Sequence, residues 1–171
     1  MYLNMPSPTP GVHWLVCHTK PRCEKKFSAL LHAVKFEHYL PLVESVRRYG
    51  RETKRFSKPL FSGYVFAHVP AEERSLIYQQ DLLVRAIAVS DEARLLHQMA
   101  DVRAIVASGV EFSVIPLLTV GREVRVIGGP LSGLVGVVDD PTRPSGIVIA
   151  VDVLQKGLLV RVPAIYLQPL P

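Results

Sequence analysis

Lys20, Arg22, Lys25 and Lys26 put four cations into seven residues, a spacing suited to phosphate rather than to bond-making chemistry. What such a cluster offers is salt-dependent attraction for a nucleic-acid backbone. It does not stand alone. Between Lys20 and Lys58 there are eleven Lys or Arg against four acids, while the rest of the 171 residues holds nine bases and eleven acids. The formal charge of +5 therefore belongs to one stretch of the chain. A basic stretch of this kind reads as a nucleic-acid-facing surface or, by default, as a solvated face.

Other chemistry finds little support. Cys17, His18 and Cys23 spell C-H-x4-C, but no second ligand pair follows at zinc spacing, and two cysteines five residues apart fit neither a disulfide framework nor a redox C-x-x-C. They are expected to be two small thiols, buried or half-buried, with no metal. Paired carboxylates, a nucleophile with its base, and a phosphate-cradling glycine loop are all missing from the pattern, so neither catalysis nor a cofactor is expected.

The elements that position the cations can be read from periodicity. Residues 13–18 alternate as a strand, and Lys20-Pro21 ends it. From 22 to about 35, apolar Cys23, Phe27, Leu30, Leu31 and Val34 recur at helical spacing, placing Glu24, Lys25, Ser28, His32 and Lys35 outside. Cations in the first turn of this helix oppose its dipole. They do not look placed for helix stability, whereas a helix start with cationic side chains suits phosphate. Residues 39–46 are strand-like, Arg47-Arg48-Tyr49-Gly50-Arg51 reads as a turn, and 52–56 returns, giving a basic hairpin tip. That tip is either a solvated turn or a nucleic-acid contact.

Further on, SKPLFSGYVFAHVP raises a packing question. Tyr64, Phe66 and His68 point one way and Val65, Ala67 and Val69 the other. Either its own chain covers both faces, or one face awaits a partner. A short helix at 72–79, a strand at 82–89 and a helix capped by Ser90 and running to about Ala107 follow, the last with Leu95, Met99, Val102 and Val106 as its stripe. Residues 109–118 lack periodicity and read as a linker. Beyond it, short alternating Val, Ile and Leu runs are separated by GGPLSG, DDPTRPSG and QKG, the pattern of a small β-barrel. Seven Gly and six Pro between Gly121 and Pro171 disfavour helix there, at about 1 to 3 kcal/mol each inside one.

Two blocks carry a family resemblance. The first is WLVCHTKPRCEKK, Trp14 to Lys26, followed by PLFSGYVF at Pro59 to Phe66 and LVRAI at Leu83 to Ile87; the second is VGREVRVIGGPLSGLVGVV, Val120 to Val138. Together they resemble the NusG family of transcription elongation factors, an NGN domain followed by a KOW domain. The order and spacing of the blocks make the match specific. The fold class expected is α+β: a leader at 1–11, an NGN α/β sandwich with a mostly antiparallel sheet at 12–108, a linker at 109–118 and an SH3-like β-barrel KOW domain at 119–171. In the KOW pattern, Gly121 opens a strand, Val124 and Val126 point inward, Gly129-Pro130 turns the chain, and Gly133 and Gly136 let the next strand bend closely against its neighbour.

The resemblance implies partners as well. RNA polymerase would be bound through the clamp helices of its largest catalytic subunit, with Tyr64 and Phe66 at the centre of the contact and His18, Leu83 and Ala86 around it. Lys20, Arg22, Lys25 and Lys26 match the part of the family that approaches non-template or upstream DNA. Arg74, Ser75 and Leu76 fall where some specialised relatives touch the second large polymerase subunit through a threonine-rich loop, a pattern this chain lacks.

Within the family, the leader, the basic hairpin and the ending VPAIYLQPL look like the operon-dedicated RfaH and UpxY type. The Gly- and Pro-rich KOW segment argues against the helical KOW state described for RfaH and for a permanent barrel. Processive elongation and antitermination would be the outcome. A housekeeping NusG working with a termination factor or the ribosome, and a ribosome-associated RNA-binding protein, are the alternative readings. The composition is that of a soluble globular protein, MYLNMPSPTPG has no secretion-signal pattern, and a cytoplasmic monomer without a membrane partner is expected.

Overall fold

Near-continuous apolar runs, buried on both faces, make β1 (Val12–Thr19) and β5 (Tyr64–Pro70) the two central strands of a four-stranded antiparallel sheet. The computed structural model describes residues 9–117, 121–140 and 145–171. The first eight residues of the expected leader and the first two of the expected KOW domain lie outside the described residues. β2 (Glu37–Tyr39) pairs with β5 and β6 (Leu83–Ala88) with β1, giving the order β2-β5-β1-β6. The β1–β5 register sets His18 opposite Tyr64, Val16 opposite Phe66 and Trp14 opposite His68.

Because successive side chains alternate, the sheet sorts its residues into two layers. Leu15 and Cys17 of β1, with Val65, Ala67 and Val69 of β5, join a core with Phe27, Leu30 and Leu31 of α1 (Glu24–Ala33). Each Val, Leu or Phe among them withdrawn from water stabilises the fold by about 1.5 to 3 kcal/mol. On the opposite face Trp14, Val16, Tyr39 and Phe66 are also buried, and the Trp14 and His68 rings stack with centroids 5.1 Å apart. Both faces of β5 are thus interior from residue 65 to 69.

Local details depart from expectation for identifiable reasons. The strand foreseen at 39–46 is cut by Pro41, which has no N–H to give a ladder; β2 stays in the main sheet, and β3 (Leu42–Tyr49) pairs only with β4 (Glu52–Pro59) in a two-stranded ribbon. Tyr49 pairs with Glu52, so the turn is shorter than foreseen. Glu24 and Ser28, expected on the solvent side of α1, are buried. A 3-10 segment, Ala71–Asp81, replaces the expected short helix and is kinked at Gln79 and Gln80.

The described chain divides into two compact units, the first ending at Glu92 and the second beginning at Ala93. Nearly all of α2 (Glu92–Ser108) falls in the second unit. Within that unit Arg94 and Gln98 of α2 both bind the Asp152 carboxylate, Gln98 at 2.9 Å, and Asp152 N–H donates back to Gln98 at 3.2 Å. Ile105 rather than Val106 completes the buried stripe of Leu95, Met99 and Val102.

The second unit holds a six-stranded antiparallel sheet in the order β12-β8-β9-β10-β11-β7. Its strands are β7 (Phe112–Pro116), β8 (Glu123–Val126), β9 (Val135–Val138), β10 (Gly146–Val151), β11 (Lys156–Arg161) and β12 (Leu167–Pro169). Val124, Val126, Ile147, Ile149, Leu158 and Val160 form its buried side, as the SH3-like barrel reading requires. The foreseen linker is in large part β7, an edge strand paired with β11. An edge tolerates Pro116 and demands little alternation, which is why the segment read as irregular. Among the described residues no helix is long and apolar enough to cross a membrane.

Candidate functional site

The end of β1, the start of α1 and the turn before β5 converge on Gly63. Its carbonyl accepts the Thr19 N–H at 2.8 Å, and its own N–H donates to Glu24 Oε1 at 2.7 Å. Gly63 has φ +85, a left-handed backbone, and a Cβ there would stand 3.4 Å from the His18 ring. Glycine therefore lets the turn close beside His18. The His18 and Tyr64 rings stack at 5.0 Å and 19°, and both side chains are half-buried. An aromatic with a polar handle at the edge of a core is the kind of group that anchors an interface while staying compatible with water.

The other residues foreseen around this contact are dispersed. Phe66 shares the face of His18 and Tyr64 but is 0% exposed. Leu83 and Ala86 belong to the opposite layer, packed with the α1 core. Register instead brings Arg85 opposite His18 and Ile87 opposite Val16. A one-residue offset along a strand changes the face, and the bulge between His18 and Thr19 is not visible in the sequence.

The cationic cluster is also differentiated. Lys20 Nζ lies 2.5 Å from Asp81 Oδ2, and Lys25 Nζ donates to the Ser57 carbonyl at 2.6 Å and to its hydroxyl at 3.2 Å. Lys25 thereby ties α1 to the base of the β3–β4 ribbon. Arg22 and Lys26 are exposed and form no ion pair among the described residues. Arg74 and Ser75 are exposed on the 3-10 segment, while Leu76 leans on the core.

Cys17 and His18 point to opposite faces of β1, so C-H-x4-C does not converge. The Cys17 thiol is buried, which pushes its pKa up to about 12, and Cys23 is half-buried and free. In the second unit the KOW-pattern residues take distinct jobs. Val124 and Val126 are buried. Gly121 precedes β8 and lies so close to β9 that a Cβ would stand 2.7 Å from the Val138 carbonyl. Gly129 and Pro130 turn the chain after β8, and Gly133 is needed for its φ of +97. Gly136 is needed for space: a Cβ there would sit 2.8 Å from the Val148 carbonyl.

A family model described as NusG, transcription termination factor, matches residues 12–120. The chain belongs to the NusG family. No protein among the curated sequences matches it. A solved structure describing domain interaction in Thermotoga maritima NusG is similar with a TM-score of 0.45 and 18% identity, covering 94% of this chain and 98% of that one. The NusG-type segment contains the His18–Tyr64 stack, the cationic cluster and the whole β3–β4 ribbon; the KOW pattern begins where the match ends and rests on its own sheet and glycines. Sequence reasoning missed the buried Glu24 as the partner of Gly63. Its signal was an acid in the first helical turn, where the helix dipole favours one.

Proposed function

We propose that this NusG-family factor is a transcription elongation factor that docks on RNA polymerase through the His18–Tyr64 end of its first sheet, meeting the clamp helices of the largest catalytic subunit. The observation that carries this reading is the half-buried His18–Tyr64 stack at 5.0 Å, held beside a cationic helix start in a segment that matches the NusG model. Arg22 and Lys26, exposed and without ion pairs among the described residues, supply the contact with non-template or upstream DNA. Lys20 and Lys25 serve mainly to fix the loop through Asp81 and Ser57.

The mechanism is mechanical. A protein that spans a hinged cleft favours the closed state only by as much as it binds that state more tightly than the open one. At about 1.4 kcal/mol for each factor of ten, a modest differential affinity shifts the balance away from paused, open-clamp enzyme. Processive elongation and antitermination are the result, and the factor serves a small set of operons. Genome-wide occupancy is the discriminating experiment. Signal confined to few transcription units is expected, and signal spread over most of them would assign a housekeeping role instead.

A further inference from the structure

The β3–β4 ribbon stands outside both larger sheets, and cross-strand pairing shows what each of its faces presents. Directly opposed residues share a face, so Val43, Ser45, Arg47 and Tyr49 lie with Lys58, Phe56, Lys54 and Glu52. Tyr49 is 56% exposed and Phe56 36% exposed. The Arg47 guanidinium sits 5.3 Å from the Phe56 ring centre, and Lys54 Nζ 5.9 Å from that of Tyr49. Cations and aromatic rings therefore interleave along one side of a strand pair about 26 Å long, eight residues at about 3.3 Å each.

This arrangement is costly for the protein alone. Arg47 lies directly opposite Lys54, a like-charge pair that destabilises a ladder. Arg47, Arg48, Arg51, Lys54, Arg55 and Lys58 form no ion pair among the described residues, and only Glu44 and Glu52 share the ribbon with them. Charge alone would be explained as protection of open strand edges. Exposed Tyr49 and Phe56 work against that purpose, since they add apolar surface to the same edge.

We propose that this face binds an unpaired nucleic-acid strand, with phosphates against Arg47, Lys54 and Lys58 and bases stacked on Tyr49 and Phe56. Ring faces are accessible only on bases that are not already stacked in a duplex, and stacking on protein aromatics contributes about 1 to 3 kcal/mol per base without reading sequence. The face carries cations and ring surfaces, so DNA and RNA strands bind it alike. It is separate from the Arg22 and Lys26 contact.

Fluorescence anisotropy of the full-length protein with labelled oligothymidine and oligouridine of about 12 nucleotides, beside a duplex of equal length, tests this. Both single strands are expected to bind within about threefold of each other and more tightly than the duplex. Y49A/F56A, at exposed positions and with CD to verify folding, is expected to weaken both by about tenfold or more. R47Q/K54Q is expected to flatten the salt dependence. Tighter binding of the duplex, strong preference for one sugar, or unchanged binding by folded Y49A/F56A would overturn the proposal. Absence of single-strand binding at about 50 mM salt, where phosphate contacts are strongest, would also overturn it and leave the charges as edge protection.

Discussion

The Glu24 carboxylate accepts the Gly63 backbone N–H at 2.7 Å, joining the first turn of a helix to a tight turn 39 residues away. Glu24 is only 7% exposed, so its carboxylate has little water as a substitute for the half-buried Gly63 N–H. The bond fixes where β5 begins, and with it the position of Tyr64 against His18.

Replacing Glu24 by Ala leaves the Gly63 N–H without its acceptor. A donor left unpaired costs up to about 1 to 3 kcal/mol when fully buried and less at the half-buried Gly63, so E24A is expected to lower the urea midpoint by the equivalent of about 1 kcal/mol. E24Q, which keeps an acceptor oxygen, should lose less. Equal loss in both variants would mean that charge at the helix start, rather than the hydrogen bond, holds the turn.

The two thiols should behave differently. Burial pushes Cys17 up to about 12, and a thiol held protonated is a poor nucleophile, whereas Cys23 is half-buried. Titration of native protein with a disulfide reagent near pH 8 is expected to register one thiol promptly and the second only in denaturant. C23S should abolish the prompt reaction. Prompt reaction of both would show that β1 opens readily.

Acid sensitivity follows from His38. Burial, aided by nearby His32, holds its pKa below 6.5, against the opposing effect of its hydrogen bond to the Phe36 carbonyl at 2.9 Å. The folded state then takes up this proton later than the unfolded chain as pH falls. His38's contribution is complete above 6.5 and is lost as pH falls from there through the folded pKa. Urea midpoints measured from about pH 7 to about pH 5 should decline, and H38Q should decline less steeply. Parallel slopes in the two proteins would remove His38 as the source.

Legibility in the sequence tracked how local each cause is. The central strands, α1 and the buried valines of the second unit were readable because alternation and helical spacing are properties of neighbouring residues. The faces of Leu83 and Ala86 were not, since a bulge at His18/Thr19 and a register choice decide them. Burial of Phe66 depends on what covers its side of the sheet, which β5 itself does not encode. The Lys20–Asp81 and Lys25–Ser57 contacts join residues 61 and 32 positions apart, so a cluster of four equivalent cations in the sequence became two tethers and two exposed charges. β7 escaped notice because an edge strand with Pro116 carries little pattern.

Docking of the His18–Tyr64 end of the sheet on RNA polymerase is measurable as the affinity of the full-length protein for bacterial core enzyme. Wild type should be compared with Y64A and H18A/Y64A, each with CD to establish folding. F66A is unsuitable, since removing a fully buried Phe costs about 3 to 5 kcal/mol of stability. Wild type is expected to bind, and folded Y64A to lose about tenfold or more, as for an aromatic anchor. Wild-type protein that fails to bind core enzyme, or a folded H18A/Y64A that binds as wild type does, would contradict that docking.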